Sequence, residues 1–376
     1  MLEGIHLTVL AGPMVPFPVP KSVIEALKSV TVKSDTQGES GFELTFSVSS
    51  QSPLQILFLL SGGSPIPLLR VILVATLNGI PNVLMDGFAT HHQIAPGSDG
   101  GKSTLTIIVK DLTVIMNKQD FSGLPFPAMP AEGRVALLLA KYSFLGLIPL
   151  VIPSILIDVP IPTSSIPSQQ GTDLADINFL ARRVGYVFYI EPGPAPGTNT
   201  AYWGPQIRIG VPQPALNINL DTSTNVESLS FAFDNDQNTT PIVSIYNELT
   251  GVVIPIPIPP ITLLSPPLGL IPPISTRLDK LSDDVSKRSV PQAIMMGLAK
   301  ASEAAEAVTG EGTLNVLRYG RILKSRQLVG VRGAGPAFDG LHYVTSVTHN
   351  LKRGEYTQNF KLSRNGLLST VPAVAP

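Results

Sequence analysis

The chain has 376 residues, a formal net charge of -1 and no cysteine, which excludes a disulfide scaffold and a thiolate metal site. Charged residues make up 14% and apolar residues 44%, a composition that excludes a disordered chain and a basic nucleic-acid-binding protein. The 36 prolines are about twice the usual share, and a chain this poor in charge is expected to bury much of its surface against partners.

The first 120 residues predict a series of short strands. Residues 42–48 alternate apolar and polar side chains, which indicates a strand with one buried face. Residues 53–60 form an apolar stretch that predicts a short helix. Further strands are expected at 68–76, 83–94 and 102–112, and the residues 121–130 have the composition of a linker.

Helices are expected in the middle of the chain. Thr172 or Asp173 can cap a helix with the sequence DLADINFLARRV, and Gly185 would end it. The following YVFYIEPG predicts a strand and a turn.

The remaining residues return to strand patterns around a second helix. That helix is expected from Pro291, because proline is favoured in the first turn. Strands are expected at 215–221, 227–236, 313–320, 327–335, 341–351 and 355–364. So many short strands with few helices indicate a mainly β fold built of barrels or sandwiches.

Two apolar runs, 135–157 and 252–274, are long enough to test as membrane spans. Lys141 interrupts the first run, and eight prolines, which break helices, interrupt the second. The first run therefore predicts a buried helix over 130–145 followed by an extended apolar loop, and the second predicts an extended or polyproline-like segment. The N-terminus has no basic segment before its apolar run and does not predict a signal peptide.

No motif supports catalysis or metal binding. The string GSDGGKST resembles a phosphate-binding loop, but Pro96 stands where the first glycine is required, and a strand pattern follows. The string DNDQN resembles the start of a calcium loop, but Ile245 stands where the bidentate glutamate is required. The adjacent His91 and His92 point to opposite faces of a strand and cannot share a metal. We predict no catalytic, cofactor or metal site and no enzymatic activity.

Two segments of the chain are similar to each other. One starts at Met85 and the other at Phe338, and each has an Asp-Gly pair, an alternating strand, a polar glycine turn and a return strand. Either the chain repeats one long hairpin, or two unrelated hairpins look alike. We predict that the two Asp-Gly pairs are structural hairpin turns in which a bulky residue would disturb the hairpin. These residues are Asp86, Gly87, Asp339 and Gly340.

Three segments, in their order and spacing, resemble the phage late control protein D family. They are DGFATHHQIAPGSDGGKSTLTIIVKDL, DLADINFLARRVGYVFYI and GPAFDGLHYVTSVTHNLKRGEYTQNFKLSRN. The family includes the baseplate hub proteins of contractile tails and the hub part of the valine-glycine repeat spike proteins of type VI secretion. The resemblance covers roughly residues 5–120, 170–192 and 325–366.

The resemblance implies an architecture and a structural role. It implies a mainly β chain with α+β insertions and two β-barrel domains similar to the tail-tube fold. A homotrimer of such chains would place six barrels in a pseudo-sixfold ring. The hub would then adapt the sixfold inner tube to a threefold spike and transmit the spike on contraction.

The expected domain organisation combines the repeat with the resemblance. Residues 1–120 would form the first tube-like barrel, and residues 121–205 a helix-containing α+β domain with an apolar, proline-rich loop. Residues 206–245 together with 313–366 would form the second barrel. Residues 246–312 would be an insertion that holds the second proline-rich run and a helix, and residues 367–376 a C-terminal tail.

The expected partners are other parts of a tail. They are two further copies of the chain, an inner tube or tube-initiator protein, a separate trimeric spike protein and other baseplate proteins. The separate spike is expected because spike-bearing family members continue into an OB-fold, whereas this sequence ends at VPAVAP. No nucleic acid is expected, and membrane contact is expected only through the assembly. Assembly would take place in the bacterial cytoplasm, within a virion or a tail-like injection particle.

The two proline-rich runs, 147–167 and 252–274, are expected at interfaces. Burial of apolar surface is favourable by roughly 25 cal/mol per Å², so such runs are not expected to stay exposed. The predicted interface residues are Pro149, Pro153, Pro255, Pro257, Pro259 and Pro260. Two other hypotheses remain: a membrane-docking protein that uses these runs, and a hydrolase on a β scaffold.

Overall fold

A computed structural model of the chain describes the greater part of the sequence. The described residues are 4–36, 39–48, 69–97, 102–154, 166–234, 239–247, 251–258, 266–271, 277–280, 290–304 and 306–371. The short helix predicted at 53–60 lies outside them, as do the predicted interface residues Pro259 and Pro260.

The first third of the chain is built of strands, as the sequence predicts. Its elements are β1 (Ile5–Gly12), β2 (Phe17–Pro18), α1 (Lys21–Ala26), β3 (Leu27–Asp35), β4 (Gly41–Val48), β5 (Arg70–Leu77), β6 (Ile80–Ala95) and β7 (Ser103–Asp111). In β4 the apolar side chains of Phe42, Leu44 and Phe46 are buried on one face, which confirms the alternation read from the sequence.

The middle of the chain combines helices with a small sheet. Its elements are α2 (Thr113–Met116), α3 (Ala131–Ala140), β8 (Leu147–Val151), α4 (Asp173–Val184), β9 (Val187–Pro192) and β10 (Asn199–Gly204). The hydroxyl of Thr172 accepts a hydrogen bond from the backbone N–H of Ala175, and Gly185 ends α4 in a left-handed conformation, so both predicted helix boundaries are confirmed. The expected extended loop after α3 is partly the strand β8, which runs parallel to β10.

The last part of the chain returns to strands. Its elements are β11 (Gln213–Asn217), β12 (Val226–Phe233), β13 (Thr239–Asn247), β14 (Val252–Pro257), β15 (Gly269–Ile271), β16 (Arg277–Lys280), α5 (Val290–Ala304), β17 (Val308–Asn315), α6 (Val316–Tyr319), β18 (Leu328–Arg332), β19 (Gly340–Lys352), β20 (Glu355–Arg364) and β21 (Leu367–Ser369).

One strand prediction is wrong. The sequence predicts a strand over 313–320, but the chain turns after Asn315. The Asn315 side-chain oxygen accepts hydrogen bonds from the backbone N–H groups of Leu317 and Arg318, and this cap starts the short helix α6.

Two six-stranded units have the same strand order. The first unit is β1-β5-β6-β7-β4-β3, and the second unit is β11-β18-β19-β20-β17-β12. When the six strands of each unit are numbered along the chain, both orders read 1-4-5-6-3-2. The two units differ at one edge, because β1 is antiparallel to β5 whereas β11 is parallel to β18. The repeated hairpin of the sequence is therefore part of a larger repeated unit.

The irregularities of the two units also coincide. The β6–β7 pair has a β-bulge between Ala89 and His91, and the β19–β20 pair has one between Val344 and Ser346. A threonine occupies each bulge. The Thr90 hydroxyl donates to the carbonyl of Ile108 at 3.3 Å, and the Thr345 hydroxyl donates to the carbonyl of Lys361 at 3.2 Å. The β3–β4 and β12–β17 pairs also share a bulge, which follows Leu27 in the first and Val226 in the second.

A direct strand pairing joins the two units. Residues 346–352 of β19 pair antiparallel with residues 29–35 of β3, which makes one continuous 13-stranded sheet. One hydrophobic core runs beneath this junction, and it includes Val30 and Val32 from the first unit with Val347 and Leu351 from the second. A second core lies between α2, α3, α4 and the sheet β8-β10-β9.

The core of the second unit holds a polar network around His349. The Tyr356 hydroxyl is hydrogen-bonded to the His349 Nδ1 atom at 2.8 Å, and the Gln358 amide nitrogen lies 3.2 Å from the same atom. Gln358 also bonds the backbone N–H and carbonyl of Leu323. Burial lowers the pKa of His349 to about 4, so the imidazole is neutral at physiological pH.

We predict that the His349→Gln variant loses part of the acid sensitivity of the protein. Between pH 6.5 and about 4 the unfolded chain binds a proton at His349 that the folded chain does not bind, so stability falls as the pH falls through this window. The measurement is the unfolding temperature from pH 7.5 to 4.5. The slope should be shallower in the variant and unchanged in a control, Gln119→Asn, because that substitution at an exposed position exchanges no titratable group. Equal slopes in all three proteins would contradict the prediction.

Candidate assembly interface

Arg326 lies where the two units and the helical middle part of the chain meet. Its guanidinium donates to the Ser34 hydroxyl at 3.2 Å and to the backbone carbonyl of Asp35, both on β3. It also lies 4.3 Å from the ring centre of Tyr189 and 3.6 Å from the Glu191 carboxylate, both on β9. The residue itself has a left-handed backbone, with φ of 62°, just before β18. One side chain thus holds three parts of the fold together.

The aromatic side chains beside Arg326 line a cleft of about 420 Å³. Tyr189 stacks on Tyr202 with ring centres 4.9 Å apart, and Tyr202 donates its hydroxyl hydrogen to the Pro205 carbonyl at 2.6 Å. Burial raises the pKa of Tyr202 to about 12, so the phenol stays neutral. Ile209 and Val211 lie exposed at the rim.

A buried ion pair fixes the first unit against the middle part of the chain. Arg70 on β5 donates to both carboxylate oxygens of Asp86, at 2.8 and 2.6 Å, and both side chains are almost fully buried. The Asn199 amide donates to Asp86 at 2.8 Å, and Arg70 donates to the carbonyl of Leu145 at 2.7 Å. The pair is therefore hydrogen-bonded on both sides, as a buried charge pair requires.

This placement corrects the prediction for the first Asp-Gly pair. Asp86 and Gly87 lie within β6 and not at a turn. Gly87 is needed for close packing, because a Cβ atom there would stand 2.1 Å from the carbonyl oxygen of Lys110. Asp339 lies in the connection between β18 and β19, whereas Gly340, with φ of 118°, is the first residue of β19. The bulge threonines, rather than the Asp-Gly pairs, are the equivalent positions of the two hairpins.

The described parts of the two proline-rich runs are edge strands. Pro149 lies in β8 and Pro153 follows it, whereas Pro255 and Pro257 lie in β14. All four are exposed in the single chain, and so are the apolar side chains beside them. The exposed apolar neighbours are Ile148, Leu150, Val252, Val253 and Ile254. Proline suits edge strands because it lacks the N–H that a central strand must donate.

The strands β12 and β6 also have unpaired edges among the described residues. β12 is the last strand of the large sheet, with β17 as its single partner. In β6, residues 80–88 pair with β5, but residues 91–95 pair only with β7. Residues 91–95 are all exposed.

Within the described ranges no three His, Asp or Glu side chains are grouped so that they could hold a metal ion. His91 and His92 take successive positions on β6, as predicted. Among the same residues, no helix has the length and apolar character needed to cross a membrane.

Sequence comparisons give no relatives, whereas structural comparisons do. No family model and no curated protein matches the chain. A tail protein from Neisseria meningitidis matches with a TM-score of 0.63 and 14% identity, over 97% of this chain and 98% of that chain. A prophage tail protein from Shewanella oneidensis matches with a TM-score of 0.61 and 12% identity, over 96% of this chain and 98% of that one.

A third solved structure extends the likeness to secretion systems. An E. coli component of the type VI secretion system, described as structurally similar to tail proteins of bacteriophage T4, matches with a TM-score of 0.52 and 11% identity. The match covers 93% of this chain and 77% of that chain. The chain thus has the fold of phage tail and type VI secretion proteins over nearly its whole length, in agreement with the resemblance found in the sequence.

We predict that Asp86→Asn lowers the free energy of unfolding by about 3–5 kcal/mol. The substitution keeps the shape of the side chain but leaves the buried Arg70 guanidinium without its counter-charge. Chemical denaturation measures the change. The matched control is Glu39→Gln, which breaks the exposed ion pair of Glu39 with Lys110 and should cost less than about 1 kcal/mol. Similar losses in the two variants would show that burial does not distinguish the pairs.

Proposed function

We propose that the chain is a structural hub subunit of a phage tail or a tail-like contractile injection particle. The observation that carries this proposal is the repeated six-stranded unit in a chain that matches tail proteins over nearly its whole length. Two similar units side by side allow one chain to occupy two positions around a ring. The role is mechanical rather than catalytic, because it depends on packing surfaces and not on a reactive group.

Three chains would place six such units in a ring. Each unit would act as a tube-like barrel, so the ring would match a sixfold inner tube on one side. The helical middle part and the proline-rich strands occur once per chain, and they would give the other side threefold symmetry for a separate trimeric spike. The barrels would comprise residues 1–120 and residues 206–245 with 313–366. The parts that occur once would be 121–205 and 246–312.

The exposed apolar strands would be covered in the particle. β8 and β14 each carry consecutive exposed apolar side chains, and prolines that stiffen the strand reduce the entropy lost on docking. We assign these strands to contacts with a neighbouring subunit, the spike or another baseplate protein. Assembly would take place in the bacterial cytoplasm.

The first test is the state of the chain in solution and in particles. Light scattering on the purified chain should give about three times the 39.9 kDa mass of one chain. Electron microscopy of particles from the producing cell should place it between tube and spike. A protein that is absent from every tailed particle of that cell would overturn the proposed function.

A second test concerns the exposed β14. Val253→Asp should reduce incorporation into particles by a large factor, because it places a charge in a surface that the particle covers. The unfolding temperature of the free chain should not change, since Val253 is exposed there. The control is Gln119→Asp at an exposed polar position, which should incorporate normally. Normal incorporation of the Val253 variant would exclude β14 from the interface.

A further inference from the structure

We propose that the β12 strand of a second copy of the chain adds to the free edge of β6, in the same register that joins β3 to β19 within one chain. This inference rests on the proposed homo-oligomer and specifies its contact strand by strand. The partner is another copy because the chain already contains this contact once, between its own two units.

The two hairpin strands use their edges in the same way, with one difference. The first part of β19 pairs with β18, and beyond the bulge the same edge pairs with β3. The first part of β6 pairs with β5, but beyond its bulge this edge has no partner among the described residues. The strand equivalent to β3 is β12, and its outer edge is also unpaired. The free edge of β6 is therefore equivalent to the edge of β19 that pairs with β3, and the free edge of β12 is equivalent to the edge of β3 that pairs with β19.

The bulges fix the register of the proposed pairing. The bulge residue Thr90 of β6 corresponds to Thr345 of β19, and Glu227, in the β12 bulge, corresponds to Lys28 of β3. With these equivalences, the observed pair of Thr348 with Lys33 becomes Gln93 with Ala232 of the second copy. Likewise, the observed pair of Asn350 with Thr31 becomes Ala95 with Ser230 of the second copy.

The side chains along both edges fit this register. His349 and Val32 face each other in the observed pairing, and both are buried. Their equivalents are Ile94, which is 37% exposed in the single chain, and Phe231, which is half-buried. The proposed contact covers these two apolar side chains with each other.

Neither edge carries the usual protection against strand addition. Exposed edge strands are commonly blocked by lysine or by an inward-pointing charge. The β6 edge, THHQIA, contains no lysine, arginine, aspartate or glutamate, and β12 contains one such residue, Glu227. A long, uncharged, exposed edge is expected to pair with another strand.

The contact is head-to-tail, because each chain offers one β6 edge and one β12 edge. Such heterologous contacts close into a ring when the rotation between copies allows it. The contact within the chain and the contact between chains would then alternate around that ring.

Cysteine cross-linking tests the register, since the chain has no native cysteine. The test variant is the Gln93→Cys, Ala232→Cys double substitution, oxidised mildly in the purified full-length chain. Directly opposed strand residues lie about 4.5–5.5 Å apart at Cα, within the range of a disulfide. The internal control is Thr348→Cys with Lys33→Cys, which should give a disulfide within one chain.

A second control tests the register itself. In Gln93→Cys with Ser228→Cys the second cysteine is four residues further along β12. The two sulfur atoms would be separated by roughly 13 Å, too far for a disulfide. Each single-cysteine variant, Gln93→Cys or Ala232→Cys, should give no cross-link alone, because a head-to-tail contact brings different residues together.

The expected result is covalent species of two and three chains from the in-register variant alone, at least tenfold above the shifted control. Mixing the two single-cysteine variants should give covalent dimers and nothing larger. The proposal is overturned if the in-register variant stays uncross-linked while the internal control oxidises, or if Gln93→Cys alone forms dimers. These outcomes do not depend on particles. If the in-register variant cross-links but the protein is absent from tailed particles, the proposed function is refuted and the contact stands. If the protein is found as a hub but the in-register variant does not cross-link, the contact is refuted and the proposed function stands.

Discussion

The antiparallel pairing of β3 with β19 is the constraint on which the rest of the structure depends. Seven residue pairs run from Ser346 opposite Asp35 to Lys352 opposite Ser29. Backbone N–H and C=O groups away from water must be paired, so this junction fixes both the distance and the orientation of the two units. The common core beneath it then has one arrangement. Without this pairing both units would expose a long strand edge, which is an aggregation hazard.

The remaining parts of the chain are positioned by a small number of buried charges. The chain is poor in charge, yet several of its charged residues lie inside. Arg70 binds Asp86, and Arg134 binds Asp176 at 2.8 Å with both side chains buried. Lys141, which interrupts the first apolar run, binds Asp173 at 3.0 Å. A buried charge without its partner is strongly unfavourable, so each pair holds two elements in one relative position. Arg326 does the same for three parts of the fold at once.

A repeated unit links the internal structure to assembly. When one chain contains two copies of a unit joined by strand pairing, the same surfaces recur at its two free ends. The bulges at Thr90 and Thr345 show that the copies agree in register and not only in strand order. A bulge leaves one residue unpaired and bends the strand, so an irregularity shared at the same place indicates the same local geometry. This agreement supplies the register of the contact that we propose between copies of the chain.

The sequence by itself determined the local features of this protein. The alternation in β4, the Thr172 cap of α4 and the similarity of the two hairpins all depend on residues that are neighbours in the chain, and each is visible in the sequence. The tail-protein fold was indicated by the resemblance of three segments to the late control protein D family, and the structural comparisons agree with it. The exact alignment of the two repeats did not follow from the sequence. An alignment on the Asp-Gly pairs differs by two residues from the alignment on the bulge threonines.

Only the tertiary structure decided how distant segments meet. The β3–β19 junction joins residues more than 300 positions apart, and the backbone groups that pair there are the same in every sequence. The sequence predicts a turn at Asp86, whereas in the structure the Asp86 carboxylate is buried and accepts hydrogen bonds from Arg70 and Asn199. The left-handed Arg326 has no sequence signal, because arginine is not a residue that favours that conformation. Local patterns record what each segment prefers, whereas the choice of partner depends on the free energy of the whole packed chain.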